Sequence, residues 1–274
     1  MRKDAVLPAL ALVGGGVGVV LRYWQINTSL IRQTMLFRAD TPATVALLIL
    51  LGVSAALFFT LIRGIRMNRS YPDSFYCPSA GYMTLMTAGG FLLIAAAALG
   101  FLEGMKQLRA WQAGWAMELP VMLLLTAAFS AAGGLAVLAL GKGNYRGNLS
   151  TAYPLLTMLP AYVTVPWVVW LYQENSRQPQ VFFYIFTLLS AICAMLGLYY
   201  GACFSFQIPR PKRCLFFSLM GIVLLIISLA DRPGLFQLVM SMAMVLLLLA
   251  QCYALLYNCF GSGKTVSGKN PAAE

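Results

Sequence analysis

Eight long apolar runs partition the sequence, at about 5–21, 42–62, 80–102, 115–140, 150–173, 181–207, 213–230 and 234–260, and short connectors between them hold most of the Lys and Arg. About 20 apolar residues wound as a helix match a bilayer core roughly 30 Å thick. Inside lipid every backbone N–H and C=O must be satisfied by protein, which a helix achieves within one segment. The runs therefore predict an all-α, polytopic transmembrane bundle of about eight spanning helices. They form a single domain over 1–260, and the polar, Gly/Ser/Lys-rich tail 261–274 reads as disordered and cytoplasmic. Composition agrees, because 60% of the 274 residues are hydrophobic and only 10% are charged. A soluble domain of this size would need far more charge on its surface.

The net charge of +11 raises nucleic acid as a partner. The placement of the charge argues against it, since Lys and Arg flank the apolar runs as topogenic and headgroup-facing residues do. Eight crossings put both termini on one side. That side holds twelve Lys and Arg against seven on the other, which predicts an integral plasma-membrane protein with both termini cytoplasmic. The six cysteines fall in membrane segments or inner connectors and read as reduced, inert thiols.

Histidine is absent from the sequence. This removes His-based metal sites, haem histidine ligation and His-dependent triads together. Gly261-Ser262-Gly263-Lys264-Thr265 resembles the end of a phosphate-binding loop, but position 258 is Asn where the pattern needs Gly, and an apolar run precedes it in place of a strand. The glycines at 14–16 and 18, and the recurrence of Ser190, Ala194, Gly197, Gly201 and Ser205, read instead as faces for close helix packing. No cofactor and no metal are expected.

The fifth run carries three prolines. Pro154 suits a first helical turn. Pro160 and Pro166 should free the carbonyls of Leu156 and Tyr162 and kink the helix. Lipid cannot satisfy a bare carbonyl, so this proline-broken fifth helix is expected near the centre, wrapped by the others, with Pro160 near the midplane. Tyr153, Thr157, Pro160, Thr164 and Trp167 share one face at three- and four-residue spacing, and Thr157 and Thr164 are placed to assist the freed carbonyls. In the eighth run Gln237, Ser241, Gln251 and Asn258 lie on a second seam. Amides on a membrane helix should point into the bundle. Tyr153, Thr157, Pro160, Thr164, Trp167, Gln237, Ser241 and Gln251 are therefore the candidate lining of a polar cavity, although both seams also suit simple helix packing.

The acids are few, and Glu103, Glu118 and Glu174 fall at outer ends or connectors. Their convergence in a cleft would favour a lipid-active enzyme. Glu118 also suits the positive end of a helix. The stretch 103–115 reads as an interfacial helical turn, and 22–41 as a hairpin, an interfacial helix or a lid. The inner loop 63–79 places Arg63, Arg66 and Arg69 beside Tyr71, a surface for lipid headgroups or for a protein partner, although topogenic arginines suffice to explain it. The preferred reading is a small transporter or permease-like protein for an uncharged or amphiphilic small molecule or lipid. The alternative is a non-catalytic membrane subunit that scaffolds or regulates a partner complex, and the third is the lipid-active enzyme.

Overall fold

The computed structural model describes residues 3–31, 36–37, 41–65, 70–112, 119–175 and 181–260. Among them, eight helices are long and apolar enough to cross a bilayer, so the chain is an all-α, multi-pass membrane protein. In order these are α1 (Lys3–Ser29), α2 (Pro42–Ile62), α4 (Ala80–Gln112), α5 (Val121–Arg146), α6 (Tyr153–Asn175), α7 (Val181–Ala202), α8 (Pro211–Ser228) and α9 (Leu235–Phe260), with a five-residue helix α3 (Tyr71–Phe75) between α2 and α4. We call the face where α1 begins and α9 ends the proximal face, and the opposite one the distal face. The tail 261–274, Arg66, Arg69 and Glu118 lie outside the described residues.

The connectors explain where helices begin and end. Pro42 and Pro211 open α2 and α8, and Pro72 sits in the first turn of α3, where a missing N–H costs nothing. Gly147 ends α5 at φ 70°, a left-handed backbone that glycine adopts without Cβ strain, and the Asn148 N–H then donates to the Gly143 carbonyl. Between α8 and α9 a 3-10 turn at Leu229–Asp231 leads to Arg232 at φ 53°, which completes a tight helical hairpin with Pro233 and Gly234.

Two stretches differ from the sequence expectation, 22–29 and 103–112, while the ladder at 30–31 and 36–37 takes the hairpin form among those left open for 22–41. Helix α1 does not stop at residue 21 but continues to Ser29, because Arg22, Gln25 and Ser29 recur at helical spacing and turn inward while Tyr23 and Trp24 face outward. The connector beyond it holds a two-residue antiparallel ladder, Leu30 opposite Phe37 and Ile31 opposite Leu36. The stretch from Glu103 to Gln112 is the last part of α4 and not a separate interfacial turn.

Helix α6 stays helical through both internal prolines. It is half enclosed: Pro160, Val163, Pro166 and Trp167 are buried, while Tyr162, Val165, Val169 and Tyr172 on the other side are exposed. The most enclosed spans are α8 and α9. Thr164 is the middle residue of α6. Pro160 therefore lies about 6 Å proximal of the helix centre, because 150–152 form a turn and not the first helical residues. The threonine hydroxyls also miss the freed carbonyls. Thr157 Oγ1 donates to the Pro154 carbonyl and Thr164 Oγ1 to the Ala161 carbonyl, not to those of Leu156 and Tyr162.

Neighbouring helices pack in sequence order from α4 to α9, and α9 closes back on α4. Helix α1 joins on the outside of α8 and carries α2. Small residues permit these approaches. A Cβ on Gly15 or Gly18 would fall on Ile226 or Ile227 of α8, and one on Gly134 would come within 2.9 Å of the Gly90 carbonyl oxygen. In α7 a Cβ on Gly197 would meet Ser218 Oγ at 2.8 Å, and one on Gly201 would meet the Gln251 carboxamide. The small-residue seam read in the sixth run is thus the track on which α8 and α9 lie.

Candidate functional site

Helices α4, α5, α6, α7 and α9 enclose a cavity toward the proximal face that leaves about 60 Å³ for the centres of water-sized molecules. Its lining comes from all five helices and from α3, and none of the lining residues is charged. The polar groups that line it are Tyr71, Tyr82, Thr157 and Gln251. Such a chamber has room for a few waters or a small neutral head group.

Helix α3 forms the proximal end of this chamber. Its apolar residues turn inward, so Tyr71 and Phe75 are buried and line the cavity. The Tyr71 ring stacks on Phe75 at 4.5 Å and on Tyr153 at 5.7 Å, while Phe75 meets Phe204 edge-on. Asn258 of α9 holds the segment from below, its Nδ2 donating to the Ser74 carbonyl at 2.8 Å and the Tyr76 carbonyl at 2.9 Å. The Cys77 N–H donates to the backbone carbonyl of Asn144. Burial pushes the Cys77 thiol up to about 11, which keeps it protonated and unreactive.

Asn144, near the end of α5, is buried and its Nδ2 donates to both phenol oxygens, at 2.8 Å to Tyr82 and 3.3 Å to Tyr71. Its Oδ1 is buried without a hydrogen-bond partner. Rotating the amide would leave two N–H donors unpaired in place of one acceptor, and orphaned buried N–H groups are the rarer and costlier case. Burial pushes the Tyr71 phenol up to about 12, only partly offset by the Asn144 hydrogen bond, so it remains a neutral O–H group. Asn144 also lines a second, water-facing pocket at the proximal surface. That pocket leaves about 310 Å³ for water-sized molecules and includes Tyr76, Asn148, Ser150, Thr151 and Tyr153.

Gln251 completes the chamber. Its Nε2 donates to the Gly197 carbonyl at 2.7 Å and to Cys214 Sγ at 2.8 Å. The Gly201 backbone beside it has no side chain to cover the carboxamide. On the lipid side of the same α6–α7 seam lies an apolar groove of about 540 Å³, lined by Met158, Ala161, Tyr162, Val165, Tyr199 and Phe206 among others. Ala202 lines both the groove and the interior cavity.

The residues singled out from the sequence divide accordingly. Thr157, Pro160 and Gln251 meet at the cavity wall, and Thr157 also hydrogen-bonds Ser205 Oγ of the turn after α7 at 2.9 Å. Tyr153 lies in the proximal pocket. Thr164, Trp167 and Ser241 are buried in helix packing, with the Trp167 Nε1 unpaired, and Gln237 is half-buried; none of the four lines these three cavities. Glu103 and Glu174 stand exposed on α4 and α6, and neither lines these cavities. Arg63 is exposed after α2, whereas Tyr71 is inside the bundle and not on the loop surface. Among the described residues no group of His, Cys, Asp and Glu is arranged to hold a metal ion.

Sequence reasoning passed over Tyr82 and Asn144. Asn144 sits between Lys142 and Arg146 and so reads as connector, although Leu140 and Asn144 are one helical turn apart and both are buried. It also passed over a distal network. Arg22 Nε donates to Asp231 Oδ1 at 2.7 Å, Arg22 Nη1 to Gln25 Oε1 at 2.7 Å, and Gln25 Nε2 to Thr44 Oγ1 at 2.8 Å. The Arg22 guanidinium lies over the Phe186 ring at 4.7 Å. This network ties α1, α2, α7 and the α8–α9 turn together. Set against protein-family models, curated proteins and solved structures, the chain matches none.

Proposed function

We propose that the chain is a small permease-like protein for an uncharged, amphiphilic small molecule, held in the plasma membrane with both termini, and hence the proximal face, in the cytoplasm. The observation that carries this reading is the uncharged, mostly apolar chamber inside the helix ring, with four polar side chains in its wall and an apolar groove on the lipid side of the same α6–α7 seam. A chamber without carboxylates, ammonium groups or guanidinium groups suits a neutral head group, because an ion there would lose its hydration without a counter-charge. The groove suits an apolar chain. Prolines on α6 leave that helix short of backbone hydrogen bonds next to the seam, a feature that transporters use at their binding sites.

The path in this reading runs from the bilayer, through the α6–α7 seam, into the chamber, and past α3 toward the proximal pocket. The test is flux of radiolabelled 1-monodecanoylglycerol into vesicles holding the purified chain and sealed around a trapping esterase. Protein-dependent flux that Gln251→Leu abolishes supports the reading. Absence of flux, with stoichiometric recovery of a second chain from native membranes, would replace it with the accessory-subunit alternative. The exposed Arg63 side of the connector 63–79 would then be the first surface to probe.

A further inference from the structure

The hydrogen-bonding valence of the chamber is fixed by groups behind its wall. Asn144 Nδ2 already donates to both the Tyr71 and Tyr82 phenol oxygens, so what those residues offer the chamber most readily is two O–H donors. Gln251 Nε2 is engaged by the Gly197 carbonyl and Cys214 Sγ, so what that side chain has left is its carbonyl oxygen, an acceptor. The donor pair and the acceptor line one cavity. A buried polar group left unpaired costs more than a formed hydrogen bond returns, so a site of this kind discriminates by what a ligand lacks.

Resting on the reading that this chamber receives a ligand, we infer that it selects an uncharged head group that accepts hydrogen bonds from Tyr71 and Tyr82 and donates one to Gln251, as a hydroxyl, a diol or a carboxamide does. An acceptor-only ether leaves the Gln251 oxygen unpaired. A phosphate brings a charge that no cationic side chain in the lining balances.

The test needs no transport. The purified full-length chain in detergent micelles is titrated with three probes, 1-monodecanoylglycerol, its di-O-methyl ether and decyl phosphate, and adducts are counted by native mass spectrometry. The diol should give a saturable one-to-one adduct, the ether should bind about tenfold more weakly, and the phosphate should give no saturable adduct. Gln251→Leu should weaken the diol and strengthen the ether, because no acceptor is then left unpaired, until the two bind alike. Tyr82→Phe, which keeps the ring, should weaken both. Equal binding of diol and ether, saturable binding of the phosphate, no saturable diol adduct, or a Gln251→Leu effect that is the same on both probes would overturn the inference. Selective binding without vesicle flux retires the permease reading and leaves this one standing, whereas flux without the selectivity does the reverse.

Discussion

Gln251 and Gly197 are joined across α9 and α7 by a 2.7 Å hydrogen bond from a side-chain amide to a backbone carbonyl, where no side chain intervenes. The glutamine is thus both a wall of the chamber and a clasp between two helices. Gln251→Leu should lower stability by only about 1 kcal/mol, since the Gly197 carbonyl lies in a helix and keeps its own helical partner. Flux should nonetheless be lost. Thermal unfolding in detergent alongside vesicle flux checks both halves, and a collapse in stability with no folded protein would identify the residue as structural alone.

Arg22 is fully enclosed and its carboxylate partner Asp231 is 14% exposed in the side chain. Removing one member of a buried pair leaves the other charge uncompensated, at a cost of about 3 to 5 kcal/mol. Asp231→Asn should fall near the lower end, because the amide can still accept from Arg22. The double variant Arg22→Met, Asp231→Leu should recover much of the loss, read as the midpoint of thermal unfolding.

Two glycines give opposite outcomes. Gly134→Ala places a methyl 2.9 Å from the Gly90 carbonyl oxygen and 2.7 Å from Ile94 Cγ1, so α4 and α5 must separate. This should cost about 1 to 3 kcal/mol. A Cβ on Gly16 meets nothing within 4 Å. Gly16→Ala should therefore raise stability by up to about 1 kcal/mol through helix propensity.

Asn258→Leu removes both hydrogen bonds that hold the α3 segment at Ser74 and Tyr76. Hydrogen exchange should quicken about tenfold over 74–77, equivalent to roughly 1.4 kcal/mol, with little change in α4 or α5. Unchanged exchange would mean that aromatic stacking and the Cys77 N–H bond to the Asn144 carbonyl suffice to seat α3.

Tyr71 gives a pH signature. Its phenol is raised from 10.0 to about 12 in the folded chain. A raised folded value means that the neutral form is favoured by folding. The contribution is complete below pH 10.0 and is lost as pH rises through about 12. Stability attributable to Tyr71 should therefore be flat at neutral pH and fall in that alkaline window, and Tyr71→Phe should fall less. Alkaline unfolding of the two proteins, compared as a difference, reads this out.

The spanning helices were legible because lipid leaves a chain few choices, and a long apolar run has to be a helix. The seam through Gly197 and Gly201 was legible because helical spacing of small residues means close approach, though not that Gln251 would fill it. What was illegible depends on partners far apart in sequence. Arg22 and Asp231 are separated by 209 positions, and each alone looks like a connector charge. The inward turn of Arg22, Gln25 and Ser29 could have been read from their three- and four-residue spacing. Tyr71 looked like a surface aromatic because arginines precede it, and only the stacking on Phe75 and Tyr153 puts it indoors. Pro160 and Thr157 were found from one helix, whereas Tyr82 and Asn144 required two helices to be brought together.

The ion pair at the distal face also sets an order on synthesis. Arg22 leaves the ribosome with the first helix, and Asp231 follows only with the last hairpin. For most of translation α1 must hold a guanidinium at the membrane without the carboxylate that later compensates it. Only when the turn after α8 is in place does that charge gain its counter-charge.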